Sequence, residues 1–76
     1  MSANQLISQK LYEIYKITDI EEILQLRTMD LSAIKNLYSK DIVMKLILGF
    51  VTSKNIDHDK IDIINVYVNE IYNLLQ

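Results

Sequence analysis

Between Asp41 and Thr52 the chain reads DIVMKLILGFVT, where only Asp41, Lys45, Gly49 and Thr52 interrupt a run of apolar residues. On a helix at about 100° per residue, those four interruptions share one strip roughly 80° wide. The rest of the perimeter is apolar, well beyond the stripe of about 100° that a surface helix presents to its core. The pattern predicts a central hydrophobic helix at about 40–53. Val43, Leu46, Ile47 and Phe50 lie away from Lys45 and are expected to face inward. Met44, Leu48 and Val51 follow i, i+4, i+7 spacing beside the polar strip. They are the side chains expected to be hardest for the chain itself to cover.

The flanking segments show the same period with a narrower apolar stripe. Ser2 and Gln5 form S-x-x-Q, a capping box, ahead of a helix of about 14 residues. It carries Ala3, Leu6, Ile7, Leu11, Ile14 and Tyr15 on one face, with Gln5, Gln9, Glu13 and Lys16 on the other. Thr18 and Glu21 repeat the box as T-x-x-E, and Asp19, Glu21 and Glu22 suit the positive end of a helix dipole. Ile20, Ile23, Leu24 and Leu26 are expected to face inward from that second helix. Asp30 is placed to cap a short third helix with Leu31, Ile34, Leu37 and Tyr38 inward; either Ser39 caps the central helix or the third and fourth run together with a bend. Ser53-Lys54-Asn55 is expected to close the central helix through a left-handed Asn55. Asp57 or Asp59 then caps a last helix running to about Leu75. Ile61, Ile64, Val68, Ile71 and Leu75 form its buried stripe, and Asp62, Asn65, Asn69, Asn73 and Gln76 its wet one. The β-branched run Ile61 to Val68 suits a strand, but the 3.6-residue spacing continues through Tyr72 and Leu75 and favours helix.

Composition narrows the class. The 76 residues make one domain, 1–76, and a chain this size buries only about 60% of its unfolded surface. There is no proline and one glycine, so the turn signals of sheet proteins are missing. An all-α bundle of four to five short helices is expected. No cysteine is present, which excludes disulfides and thiol chemistry. With one histidine, no cofactor or metal is expected. The formal net charge of −2 gives no basic footprint for nucleic acid. The apolar run at 42–51 is about half the length of a membrane span, and the start lacks a signal-peptide pattern. A cytoplasmic protein without a membrane span is expected. The preference for Lys over Arg, with abundant Ile and Asn, suggests an AT-rich coding genome, such as that of a low-GC bacterium, its phages or mobile elements, or a virus.

Candidate chemistry is sparse. Asp57-His58-Asp59 with Asp62 offers oxygens and one imidazole, and a run of helix caps explains the same residues. Ser32 follows Asp30 as Asp30-Leu31-Ser32, which departs from the Asp-Ser-Leu order of acyl carrier proteins. No nucleophile is placed with a base, as covalent catalysis needs, and the chain reads as non-enzymatic. Residues 20–38 allow a helix-turn-helix in which Ser32, Lys35, Asn36 and Ser39 would meet the major groove. Thr28 stands where a glycine usually makes the tight turn, and Glu21, Glu22 and Asp30 would lie near phosphates. Five tyrosines, Tyr12, Tyr15, Tyr38, Tyr67 and Tyr72, suit either an interface or the edge of a core.

The expected function is a small protein-interaction module, a regulator, adaptor or inhibitor, that binds another protein or forms a homodimer. Met44, Leu48, Val51 and Lys45 are the expected partner-binding residues, since a helix laid in a groove uses that spacing. A DNA-binding transcriptional regulator is the competing reading. Small helical immunity proteins share the general outline, without a residue motif to support the comparison.

Overall fold

The computed structural model describes residues 2–75 and folds them into five helices with no strand among them. These are α1 (Ala3–Thr18), α2 (Glu21–Leu26), α3 (Leu31–Leu37), α4 (Lys40–Thr52) and α5 (His58–Leu74). The β-branched run Ile61 to Val68 lies within α5, so the helical period prevails over strand propensity. Gln76, expected on the wet stripe of the last helix, lies outside the described residues.

The two long helices, α1 and α5, make the main pairing and run antiparallel. Lys10 and Glu70 form an ion pair across them, and Ile17 and Thr18 line a small cleft with Asn55, Ile56 and Asp57. The hydrophobic helix α4 lies against α2, α3 and α5, while α2 also packs on α1. The core they enclose is aliphatic. Ile7, Leu11 and Ile14 of α1 meet Ile64, Val68 and Ile71 of α5, with Ile20, Ile23, Leu26, Leu31, Val43 and Ile47 closing the other side. Among the described residues no polar or charged side chain is buried, so apolar burial holds the fold without polar networks in its interior.

Three of the expected caps form. Ser2 Oγ accepts from the Gln5 amide at 3.2 Å while the Ser2 amide donates to Gln5 Oε1 at 2.9 Å, completing the capping box. Asp30 Oδ1 accepts from the Ala33 amide at 3.1 Å, and Ser39 Oγ from the Ile42 amide at 3.2 Å. Each satisfies an amide that a helix start leaves without an intrahelical partner.

The connections differ from expectation where backbone geometry decides. Thr18 does not cap α2. It is the last residue of α1, which runs 16 residues, and its hydroxyl donates to the Ile14 carbonyl at 2.9 Å. The same hydroxyl accepts from the Ile20 amide, so it bridges the two helices. Asp19 closes α1 with φ 56°, the left-handed conformation, and Ile20 takes the N-cap position without a side-chain bond. Asn55 is not left-handed, since Asp19 is the sole positive-φ residue described. The α4 end is instead served by Ser53, whose hydroxyl donates to the Phe50 carbonyl at 2.6 Å. Asp57 holds the N-cap position of α5 with no side-chain bond, and Asp59 accepts from the Lys60 amide at 3.1 Å.

Leu37 and Tyr38 also depart from their expected inward positions. Leu37 ends α3 after seven residues, and Tyr38 leaves helical geometry at φ −121° and ψ −89°. Ser39 is then extended to start α4. This corner carries both side chains off the core, while Leu31 is buried and Ile34 packs against it.

Candidate functional site

The candidate surface is the outer side of α4 together with the α3–α4 corner. Asp41, Lys45, Gly49 and Thr52 are all exposed, so the polar strip faces outward as its spacing required. Val43 and Ile47 on the opposite side are fully buried. Leu46 and Phe50 are only half-buried, whereas Val51 is buried. Helical geometry accounts for Leu46, which stands nearer Lys45 round the axis than Val51 does, but not for Phe50, which stands farther round than either.

Of the three residues expected to need outside cover, the chain covers two. Met44 is 9% and Val51 6% exposed, against 36% for Leu48. The covering element is α5. Lys40 lies over the Tyr72 ring at one end of the α4–α5 pair, and Leu48 and Val51 share a cleft with Ile61 and Ile64 at the other. This antiparallel register sets Met44 level with Val68. The cleft, of about 110 Å³, is lined also by Ile56 and leaves Leu48 on its rim. The α4 sequence alone does not state which neighbour lies along that side.

The sequence reading missed the most exposed apolar groups. Leu37 is 78% and Tyr38 71% exposed, and Ile42 adds a third exposed apolar side chain one turn into α4. Their signal is local: two large apolar residues stand immediately before a capping serine, at the end of a segment too short to tuck them under. Ile42 and Leu48 border the outward strip on its two sides, with Lys45 and Gly49 between them. Gly49 has no neighbouring atom within 4 Å of where a Cβ would stand, so the face is open there and carries no side chain. Ile63 and Val66 are exposed separately on α5.

The alternative residues are not gathered into one surface in the same way. Ser32 Oγ donates to Asn4 Oδ1 of α1 at 2.9 Å, and Ser39 Oγ is the α4 cap. Lys35 Nζ donates to the neighbouring Asn36 Oδ1 at 3.2 Å. α2 and α3 are six and seven residues long, and α3 packs on α4. His58 is exposed at the start of α5, and among the described residues no three His, Cys, Asp or Glu side chains converge as a metal set. Tyr15 and Tyr67 pack against the core, while Tyr12 and Tyr72 are exposed beneath cations. Arg27 Cζ lies 4.9 Å from the Tyr12 ring centre and Lys40 Nζ 4.7 Å from that of Tyr72. No helix is long and apolar enough to cross a membrane among the described residues. No family model, curated protein or solved structure matches the chain.

Proposed function

We propose that this chain is a non-enzymatic protein-interaction module, a regulator, adaptor or inhibitor, that acts by covering a surface on its partner. The contact is made by the outer side of α4 and the α3–α4 corner. The observation that carries this reading is the pair Leu37 and Tyr38, left 78% and 71% exposed while fifteen apolar side chains are buried elsewhere among the described residues. Burying them on a partner is worth about 25 cal/mol for each Å² of apolar area removed from water. Tyr38 suits such a contact because its ring packs while its hydroxyl stays hydrated. Asp41 and Lys45, exposed beside Ile42 and Leu48, set orientation through charge.

The test compares the wild type with a Leu37→Ser, Tyr38→Ser, Leu48→Ser triple variant. Self-association is followed by sedimentation and foreign partners by affinity capture from the source cell. The variant keeps the helical circular dichroism spectrum and loses binding. Equal binding by both proteins would sink the reading. The helix-turn-helix alternative draws less support, because Ser32 and Ser39 already serve intramolecular bonds. Its signature would be affinity for duplex DNA that falls steeply with salt.

A further inference from the structure

We propose that the partner is a second copy of this chain, laid antiparallel across α4 about a twofold axis level with Val43. This rests on the interaction-module reading and names the occupant of that face. The argument begins with charge. Asp41 and Lys45 stand one turn apart on the outward strip, and neither takes part in a salt bridge among the described residues. A strip carrying one acid and one base is self-complementary only when the second copy runs the opposite way. A parallel copy sets Asp41 against Asp41 and Lys45 against Lys45, and an antiparallel copy centred on Lys45 sets the two lysines together. Centring the axis level with Val43 places Asp41 of each protomer opposite Lys45 of the other, twice over. A twofold interface is built from such reciprocal contacts.

The antiparallel direction also bears on the apolar groups. It sets the end of α4 that carries the Leu37–Tyr38 corner beside the Leu48–Thr52 end of the second copy's α4. Leu37 is the most exposed large apolar side chain described, and Gly49 is the one place on the strip where no side chain stands in the way. A glycine permits close approach of another chain's atoms. Thus the exposed corner of one copy lies near the bare glycine end of the other, and both come from one sequence.

Size sets the kind of dimer. A helix of 13 residues is about 20 Å long. One helix side of that length with the corner is a small face, no larger than the lower bound for specific interfaces, about 600 Å² from each partner. Each protomer also has its own aliphatic core. The dimer is therefore reversible and concentration-dependent rather than required for folding.

A charge exchange at two exposed positions tests it. Wild-type protein sedimented over two decades of concentration passes from monomer to dimer. Asp41→Lys and Lys45→Asp each weaken self-association by about tenfold or more, because each creates like charges at both reciprocal contacts. An equimolar mixture of the two variants restores opposite charges at both contacts and pairs at wild-type strength. Gly49→Leu projects into open space within its own protomer, keeps the melting temperature, and weakens pairing. A wild type that stays monomeric overturns self-pairing, as does a mixture that fails to recover. If that monomeric protein still binds a foreign protein through Leu37, Tyr38 and Leu48, the interaction-module reading survives while this inference falls. If it binds nothing, both fall.

Discussion

The ammonium of Lys40 stands 4.7 Å from the centre of the Tyr72 ring and ties the first turn of α4 to the last turns of α5. An exposed cation–π contact of this kind is worth about 0.5–1 kcal/mol. Lys40→Met is expected to lower unfolding free energy by about that amount in urea, and in a Tyr72→Leu background the loss should disappear. Equal losses in both backgrounds would assign the effect of Lys40 to something other than the ring.

Arg27 joins α2 to α1 more firmly. Its Nε donates to the Ser8 carbonyl at 3.1 Å and to Ser8 Oγ at 3.0 Å, with the guanidinium over Tyr12. Arg27→Ala is expected to cost about 1–2 kcal/mol. Arg27→Lys should recover little of it, since an ammonium lacks the flat donor array that stacks and donates together. Full recovery by lysine in denaturant titrations would show that charge alone matters.

Met44 and Leu48 separate core from surface within one helix. Met44→Ala removes a side chain that is 9% exposed, at an expected cost of about 2–4 kcal/mol. Out of the roughly 4–11 kcal/mol expected for a chain of this size, that is a large share. Leu48→Ala should cost under about 1 kcal/mol, and Leu48→Asp should remain folded. A Leu48→Asp protein without a cooperative thermal transition would place Leu48 in the core.

Ser39 has one structural duty, and its removal is measurable. Ser39→Ala leaves the Ile42 amide without its acceptor and is expected to lower stability by about 1 kcal/mol. Ser39→Asp should restore most of that loss. Unchanged stability in Ser39→Ala would dismiss the cap.

Asp19 is the fifth test. An L-residue other than Asn or Asp pays about 1–2 kcal/mol in the left-handed conformation. Asp19→Gly is expected to raise the melting temperature, and Asp19→Val to lower it by several degrees. If glycine and valine behave alike, the left-handed closure of α1 is wrong.

What could be read in advance was whatever depends on neighbours along the chain. Ser2 with Gln5, Asp30 before Leu31, and Ser39 before Lys40 cap helices through atoms three residues away, so their roles are visible locally. The stripes of α1 and α5 follow from period alone, and Ile61 is the one member of the α5 stripe left half-buried. Thr18 was misread because its role depends on Asp19 turning left-handed, and T-x-x-E carries no sign of that. Leu37 and Tyr38 depend on the direction of the chain at one corner. Met44 and Val51 depend on the register of α5, an element that begins several residues after α4 has ended. The packing of α5 on α4 is not encoded in any single window, whereas the corner at Leu37 and Tyr38 leaves a local sign in the serine that follows.

α3 is secured to the body by one fully buried side chain, Leu31, with Ile34 as its partial support. Elements with so few enclosed contacts are the first to release their amide protons to deuterium, well before the protein as a whole opens. The turn that displays Leu37 and Tyr38 can thus adjust to whatever settles on it while α1 and α5 stay closed. On the proposed reading, recognition and endurance are housed in different parts of the molecule.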